Sequence, residues 1–513
     1  MRHITITLTA FLLVLNCVGQ EKKLNDLLSN VSEKSLKENL FFLAGDKCQG
    51  RMVATKGDSI ATSFVEDWMK KHKLKTCISN SFRQQVTFQE NSNDIDELFI
   101  GNKNFQKYDY WDYQWSSFAF KKGVDIRQAP LVFINYGIAT RKYNDFDNVD
   151  VKGKVVVHLM GMNKFIKDSL ISAEELKGKY KDYESKGALA AILIPTNFVY
   201  EDVSAQQKKA AAFKLYKLKG DTTIFGAKDT NPFPFLYSSK SLMNEMLGDK
   251  SELKDSLMNS INYLKNDPQA FNLDKTITIR VKRNLSENIT SNNLIGMVEG
   301  TDKNAGYIVF TAHRDHEGQA FDSTWYGADD NASGTVAMME CIKAISAMSK
   351  NGVRPKRSIL FISTTAEEHG LLGANYFAEN PIVPLNEIKF ALNIDMLGRI
   401  DSKHLNNKKS DSNYVYPLYF DSLYNFRPVI EDISRQVGIT TDNYYLNNPM
   451  EESMIQRSDH IVFGNKGIPF IWFFTGMHKD YHQPTDTPDK INYTLLAKRT
   501  KYALGVLWKL ANQ

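Results

Sequence analysis

Histidine and carboxylate side chains recur at the ends of apolar runs in the second half of the sequence, where they could bind metal ions. The candidates directly follow such a run or precede a predicted helix: His313, Asp329, Glu368, Asp395 and His482, with Glu367 next to Glu368. A mixed set of histidine and carboxylate is typical of catalytic zinc, because structural zinc sites are rich in cysteine. The residue types therefore predict a zinc site.

Charge balance favours two ions over one. Asp329, Glu368 and Asp395 supply three negative charges, which two Zn²⁺ and one hydroxide would neutralise. A single ion would leave the three carboxylates crowded around one dication, and one of them would tend to protonate. Two metals that share a carboxylate can activate water and polarise a carbonyl together. We therefore expect two Zn²⁺ per chain.

The apolar runs that carry these residues are short and rich in β-branched side chains, which is typical of buried strands. They cover Tyr307–Phe310, Ile359–Ile362, Phe390–Ile394 and Ile468–Phe474. Helical spacing over residues 338–348 separates the first two. This alternation predicts an α/β fold, a three-layer sandwich with a mainly parallel central sheet. Ligand sites lie beyond the carboxyl ends of such strands, so the candidate side chains should meet at one sheet edge.

The first half of the chain has a different pattern. Residues 35–76 have helical spacing, and residues 84–125 are aromatic and irregular. The runs Leu131–Ile134, Val155–Leu159 and Leu189–Ile194, with a helical pattern over Ala173–Ser185, predict a separate βα module. A charged stretch, Lys250–Asp274, separates this module from the rest. Two domains suit a length of 513 residues.

Composition excludes several classes of protein. Hydrophobic residues (42%) and charged residues (24%) are near the globular average, which excludes a largely disordered chain. The net charge of +5 is spread thinly over 64 basic and 59 acidic residues, so nucleic acid is not an expected partner. Beyond the amino-terminal segment, no apolar run reaches the length of a membrane helix.

The first residues are typical of a signal peptide. Arg2 precedes the apolar stretch Ile4–Val18, and Cys17, Val18 and Gly19 supply small residues at the positions that a signal peptidase recognises. We expect residues 1–19 to be removed and the protein to be exported to the periplasm or the cell exterior. Lipidation at Cys17 is the alternative, which the bulky Asn16 disfavours. The pattern leaves open whether Cys48 and Cys77 form a disulfide or remain free thiols.

Five segments, in order, resemble the co-catalytic di-zinc aminopeptidases, relatives of bacterial leucyl aminopeptidase and glutamate carboxypeptidase. They are Ala312–His316, Gly327–Gly334, Ala366–Gly370, Asn393–Arg399 and Asp480–Thr487. The resemblance implies a zinc exopeptidase fold with an inserted, β-rich protease-associated domain. The implied boundaries are residues 20–127 for the amino-terminal part of the peptidase domain, 128–245 for the insertion and 246–513 for the main part.

The resemblance also implies a role for each ligand. His313 and Asp395 would bind one zinc, Glu368 and His482 the other, and Asp329 would bridge them, with a non-proline cis bond after Asp329. Glu367 would be the general base, which takes a proton from the attacking water and passes it to the leaving amine. The substrates would be peptides, and the sequence does not predict the oligomeric state.

Several neighbours of these residues have candidate supporting roles. Asp315 is predicted to hold the His313 ring, and Asp486 to hold the His482 ring or to cap a turn. Candidate substrate contacts are Arg399, Arg457 and Tyr481, and both arginines could instead form ion pairs. Structural or pocket-lining positions are expected for His316 and His369, and a loop position for His478. The triplet Ser458–His460 cannot form a serine-type relay, because consecutive side chains cannot stack in that order.

Two residues depart from the family pattern. Members usually have an aromatic or similar residue where this chain has Arg314, and an apolar residue where it has Glu317. Neither is a ligand position, so the departure bears on substrate preference. The sequence favours an aminopeptidase. Carboxypeptidase-type cleavage, glutaminyl cyclisation with one zinc and a receptor-like binding protein without activity remain as alternatives.

Overall fold

A computed structural model describes residues 21–105, 123–137, 139, 144–159, 182–194, 216–219, 223–224, 227–228, 233–238, 240–248, 270–320, 322–405, 412–448 and 454–513. The chain divides into two compact units. The first consists of Met1–Phe88 and Ile289–Gln513, and the second of Gln89–Asn288. The predicted signal peptide lies outside the described residues.

The first ten strands are β1 (Lys75–Thr76), β2 (Arg83–Ile100), β3 (Lys103–Asn104), β4 (Val124–Phe133), β5 (Val155–Leu159), β6 (Ala190–Ile194), β7 (Tyr216–Leu218), β8 (Thr223–Ile224), β9 (Ala227–Lys228) and β10 (Phe235–Tyr237). The remaining strands are β11 (Phe271–Val298), β12 (Tyr307–His313), β13 (Gly318–Ala320), β14 (Ser323–Trp325), β15 (Ser358–Thr364), β16 (Ile388–Ile394), β17 (Tyr414–Leu418), β18 (Thr440–Thr441) and β19 (Phe470–Phe474).

The helices are α1 (Glu33–Leu43), α2 (Lys56–Lys71), α3 (Lys240–Leu247), α4 (Gly334–Lys350), α5 (Leu372–Glu379), α6 (Ser402–Leu405), α7 (Arg427–Val437), α8 (Tyr444–Asn447), α9 (His460–Gly464) and α10 (Tyr493–Ala511). Residues 21–29 and 182–185 are also helical. In the part of the chain that the structure describes, every helix is too short or too polar to cross a membrane.

Parallel strands form the centre of the sheet in the first unit. β12 pairs in parallel with β15 and with β16, and β16 pairs in parallel with β19. The flanking pairs are antiparallel: Leu294–Val298 of β11 beside β15, and β17 beside β19. The sheet is therefore mixed, and the carboxyl ends of its central strands share one edge, as predicted.

Helices cover both faces of this sheet. Ile308 and Phe310 of β12 belong to one buried core, which includes apolar residues of α1, α2, α4 and α10. Val309 of the same strand belongs to a second core with Phe377 of α5 and Phe463 of α9. Alternate strand residues face opposite sides, so the predicted three-layer α/β arrangement is confirmed.

The second unit has its own run of parallel strands and its own buried cores. β4, β5, β6 and β10 pair in parallel in that order, and Phe271–Val281 of β11 pairs antiparallel with β4. Helix α3 contributes Leu242, Met243 and Met246 to one of these cores. The strands of the predicted βα module are confirmed, whereas most of Ala173–Ser185 lies outside the described residues.

The second unit does not coincide with the predicted insertion, whose boundaries stay a prediction. The second unit runs from Gln89 to Asn288 and is longer at both ends than residues 128–245. The physical reason is that the long strands β2 and β11 run through the two unit boundaries, so no break in pattern marks them. Its identification as a protease-associated domain stays a prediction.

Candidate metal centre

The carboxyl ends of the central strands bring the candidate ligands together. His313 is the last residue of β12, and Asp395 directly follows β16. Glu367 and Glu368 lie in a turn after β15, as expected, because strand geometry would direct adjacent side chains to opposite faces. His482 lies in the loop that follows β19. Four separate segments thus contribute to one site.

Asp330 lies between the two histidines. Its Oδ1 atom is 3.4 Å from Nε2 of His313, and its Oδ2 atom is 2.9 Å from Nε2 of His482. The two oxygens of a single carboxylate therefore face two different rings, which is the geometry of a bridging ligand.

The structure does not place Asp329 at this position, contrary to the prediction. Asp329 Oδ1 accepts a hydrogen bond from the N–H of Gly398 at 2.5 Å, and Oδ2 lies 3.2 Å from Nε2 of His478. The predicted cis bond after Asp329 is also wrong, since the cis peptide joins Asp330 to Asn331. The segment Ala328–Ser333 has an irregular backbone, so neighbouring side chains point in directions that sequence spacing does not give.

Side chains from distant segments fix this irregular backbone. Asp486 Oδ2 accepts hydrogen bonds from the N–H groups of Asp329 and Asp330 at 2.9 and 3.2 Å. Asp486 therefore supports the bridging segment, whereas the prediction placed it on the His482 ring. Asn331 Nδ2 donates to the carbonyl of Ile394 at 2.9 Å and ties the segment to the end of β16.

The fully buried Arg51 holds the loop that leads into this segment. Its guanidinium donates to four main-chain carbonyls at 2.6 to 2.9 Å, those of Leu43, Arg314, Tyr326 and Gly327. Buried carbonyls need such donors. Sequence reasoning did not identify Arg51, because its partners at 314–327 are remote in the chain.

Two sets of donor atoms share Asp330. In the first set, His313 Nε2 lies 3.4 Å from Asp330 Oδ1 and 3.4 Å from Asp395 Oδ1. In the second set, His482 Nε2 lies 2.9 Å from Asp330 Oδ2 and 3.0 Å from Glu368 Oε2. Atoms that share a tetrahedral zinc ion at its usual bond lengths are about 3.3 Å apart. The spacing of both sets fits that value.

The hydrogen bonds of the two rings leave a nitrogen lone pair facing each set. Nδ1 of His313 lies 3.2 Å from the carbonyl oxygen of Asp315, and Nδ1 of His482 lies 3.1 Å from Oε1 of Glu317. Both oxygens are acceptors, so the proton of each neutral ring is on Nδ1. Among the described residues, His313 Nε2 and Asp395 Oδ1 are buried without a hydrogen-bond partner. A cation placed between these acceptors would satisfy them, so the chemistry of the donors fits zinc.

Glu367 and Glu368 are adjacent but have opposite pKa shifts. Burial raises the pKa of Glu367 well above its ordinary value, and the charges of Glu368 and Asp395 add to this effect against the opposing His313. Burial also acts to raise the pKa of Glu368, but its contacts with His482 and His316 together outweigh burial, and the pKa is lowered well below its ordinary value. The two environments therefore favour an ionised Glu368, as a metal ligand requires, and a Glu367 that can hold a proton.

Asp315 supports the turn after β15. Its carboxylate accepts hydrogen bonds from the N–H groups of Glu367 and Glu368 at 3.2 and 3.3 Å. The carboxylate was predicted to hold the His313 ring, but it lies 3.8 Å from Nδ1, and the main-chain carbonyl of Asp315 makes the closer contact. Asp315 thus links the first ligand to the turn that carries the two glutamates.

Arg314 is directed into the protein core. Its side chain is fully buried, lies 3.2 Å from Asp58 Oδ1 and donates to Thr62 Oγ1 at 2.8 Å. Arg314 was expected to influence substrate preference, because it departs from the family pattern. Its side chain instead contacts Asp58 and Thr62 in the core, so these contacts give no support to that expectation. Its role is to hold the segment after β12 against α2.

His316 and Glu317 contact the ligands of the second donor set. His316 Nδ1 lies 2.7 Å from Glu368 Oε1, and Glu317 Oε1 lies 3.1 Å from His482 Nδ1. Sequence reasoning assigned His316 a structural or pocket-lining place and gave Glu317 no role at the metals. The signal for Glu317 was its charge at a position where an apolar residue is usual.

A cleft opens beside the two donor sets. Its lining combines carboxylates with apolar side chains: Asp330, Glu367, Glu368, Asp395, Met396, Met454, Arg457, Trp472, Phe474, Met477 and Tyr481. Arg457 and Tyr481 thus lie at the cleft, as the predicted substrate contacts require. Arg399 instead lies 2.7 Å from Asp480 Oδ2 and 3.7 Å from Asp486 Oδ1, so the ion-pair alternative describes it.

The triplet Ser458–His460 does not form a relay. The three side chains contact different partners, namely Asn393, Thr364 and the carbonyl of Ile455. His478 lies in a loop, as expected.

Part of this chain is similar in sequence to known peptidases. Residues 293–507 match the model of peptidase family M28. The chain is 28% identical over 278 residues to leupeptin-inactivating enzyme 1 of Streptomyces exfoliatus, covering 49% of this chain and 55% of that protein. It is also 28% identical over 245 residues to the aminopeptidase YwaD of Bacillus subtilis, covering 44% of this chain and 46% of that protein. The chain thus spans about half the length of these relatives.

Solved structures share the fold over almost the full chain. An aminopeptidase from Aneurinibacillus sp. strain AM-1 has a TM-score of 0.57 at 18% identity, covering 95% of this chain and 96% of that chain. A zinc aminopeptidase from Bacillus subtilis has a TM-score of 0.55 at 18% identity, covering 94% and 96%. The α/β fold is therefore shared with these solved aminopeptidases, and residues 293–507 of this chain are similar to peptidase family M28.

Proposed function

We propose that this protein is a two-zinc aminopeptidase that removes residues from the amino end of peptides. The observation that carries the proposal is the position of Asp330, whose two oxygens face His313 and His482 separately. We assign His313 and Asp395 to one ion, Glu368 and His482 to the other, and Asp330 to both. The aminopeptidase names of the M28 relatives support cleavage from the amino end.

The ions, when bound, would supply the Lewis acidity that activates water and polarises the scissile carbonyl. Glu367 lies beside the first donor set, with Oε2 at 3.9 Å from His313 Nε2. From there its carboxylate can take a proton from the attacking water and deliver it to the leaving amine. Asp315 fixes the main chain of Glu367 and so holds this base at the cleft.

The apolar part of the cleft supports a preference for substrates with a large apolar side chain. Met396, Met454, Met477, Trp472 and Phe474 line it. Unbranched methionine side chains adapt to differently shaped apolar groups. We therefore expect a broad apolar preference over a strict requirement for one residue.

The amino-terminal segment supports export. Arg2 and the apolar stretch Ile4–Val18 form the signal pattern. Mass determination of the amino terminus of secreted protein tests this part. A mature chain that begins at Gln20 is expected, and a lipid-modified Cys17 would contradict it.

Metal analysis combined with hydrolysis of aminoacyl anilides tests the activity. We expect two zinc ions per chain, faster turnover of leucyl than of glutamyl anilide, and no turnover after the amino group of the substrate is acetylated. Cleavage of acetylated peptides from the carboxyl end would instead indicate a carboxypeptidase. One zinc with cyclisation of amino-terminal glutamine would indicate a cyclase, and absence of both zinc and turnover would indicate a binding protein.

A further inference from the structure

His316 and Glu317 are consecutive residues that contact Glu368 and His482, the two ligands that belong to the second donor set alone. His316 Nδ1 is 2.7 Å from Glu368 Oε1, and Glu317 Oε1 is 3.1 Å from His482 Nδ1. The side chains of His316 and Glu317 are 0% and 4% exposed. At this burial, water screens such contacts weakly.

The contact between Glu317 and His482 determines which nitrogen of the ring can bind a metal. A carboxylate accepts hydrogen bonds, so the facing Nδ1 of His482 carries the proton. The lone pair is then on Nε2, which lies 2.9 Å from Asp330 and 3.0 Å from Glu368. A carboxylate on the far nitrogen also makes the imidazole a stronger donor to a cation.

His316 acts on the other ligand of the same set. Its Nδ1 faces Glu368 Oε1, whereas Glu368 Oε2 faces His482. One oxygen of Glu368 is thus held by His316, and the other is directed at the metal position. The two contacts fix the orientation of both ligands from the same stretch of chain.

We propose that Glu317 is a positioning residue that sets the affinity of the second donor set for its zinc ion. The proposal rests on the proposed two-zinc function. It assigns Glu317 to the His482 ring and not to the ion, because Glu317 faces Nδ1 while the other donors face Nε2. At His313, by contrast, Nδ1 lies 3.2 Å from the main-chain carbonyl of Asp315, and the Asp315 carboxylate is farther away at 3.8 Å.

Zinc titration of the metal-free protein against a competing chelator tests this inference. Glu317→Leu places the family's usual apolar type at this position, and Glu317→Gln keeps an oxygen acceptor but removes the charge. We expect Glu317→Leu to weaken the second zinc by about 10- to 100-fold and to leave the first unchanged. Glu317→Gln should recover part of the loss. The exposed Glu379→Gln serves as the matched control.

Cobalt(II) substitution supplies a second readout that does not depend on turnover. The visible absorption of the second cobalt should appear only at higher cobalt concentration in Glu317→Leu, with first-site absorption as in the wild type. An equal thermal midpoint of the metal-free wild type and variant should show that the fold is unchanged.

The outcomes separate the inference from the proposed function. Wild-type affinity for both ions in Glu317→Leu overturns the inference and leaves the two-zinc function intact. Complete loss of the second ion, as expected for His482→Ala, also overturns it, because Glu317 would then be a ligand itself. A wild-type protein that binds no zinc contradicts the proposed function.

Discussion

The carboxylate of Asp329 lies 3.2 Å from Nε2 of His478, whereas the next residue, Asp330, contacts His313 and His482. Asparagine has one side-chain oxygen and no charge, so it cannot bridge two ions as a carboxylate does. We expect Asp330→Asn to bind fewer than two zinc ions after dialysis and Asp329→Asn to retain two. Elemental analysis of both variants checks this, and the reverse pattern would restore Asp329 as the bridge.

Replacing the proposed base separates catalysis from metal binding. Glu367→Gln should retain both zinc ions and lose about two to four orders of magnitude in kcat, because the amide cannot accept the proton. The neighbouring variant Glu368→Gln is the control and should lose zinc from the second set. Near-normal kcat in Glu367→Gln would show that another group is the base.

The buried pair of Arg314 and Asp58 should affect stability without affecting specificity. Both side chains are almost fully buried, at 0% and 4% exposed. Arg314→Met leaves the Asp58 charge without its partner, which should cost about 3 kcal/mol of unfolding free energy. Denaturant titration measures the loss, and the leucyl-to-glutamyl ratio of kcat/KM should stay constant. A changed ratio would return Arg314 to the determinants of substrate preference.

His460 should make the folded protein less stable in mild acid. Burial lowers its pKa from 6.5 to about 3, although a hydrogen bond to the Ile455 carbonyl opposes this effect. Between those values the unfolded chain binds a proton at His460 that the folded chain does not bind. The contribution of His460 to the free energy of unfolding is therefore complete above pH 6.5 and is lost as the pH falls. From pH 7 to pH 5 the loss should be about 2 kcal/mol.

The variant His460→Gln isolates this contribution, because its amide can still donate to the Ile455 carbonyl. Denaturation curves of metal-free wild type and variant at pH 7 and pH 5 supply the comparison. The wild type should lose about 2 kcal/mol more than the variant. Equal losses in the two proteins would assign the acid sensitivity to other groups.

The strand ends were predictable from sequence because parallel strands leave a clear pattern. β12, β15, β16 and β19 are short apolar runs, and the residues that follow them must meet at one edge. The same argument could not choose between Asp329 and Asp330. Both are buried carboxylates in an irregular segment, and their directions depend on a hydrogen bond that Gly398 donates and on two that Asp486 accepts.

Long-range partners were the other part that sequence could not supply. The contact between Glu317 and His482 joins residues that only the folded chain brings together. The ends of the second unit also have no local signal in the sequence. β2 and β11 keep a continuous strand pattern where one unit changes to the other.

Arg51 has a consequence for any attempt to isolate the catalytic half. The stretch that matches the peptidase family begins at residue 293, yet the four carbonyls bound by Arg51 include two from the loop before Asp330. A fragment cut at the similarity boundary would expose these acceptors to solvent and release that loop. We expect such a truncated protein to fold poorly, because the residues that match the family model do not include all the residues that the fold needs.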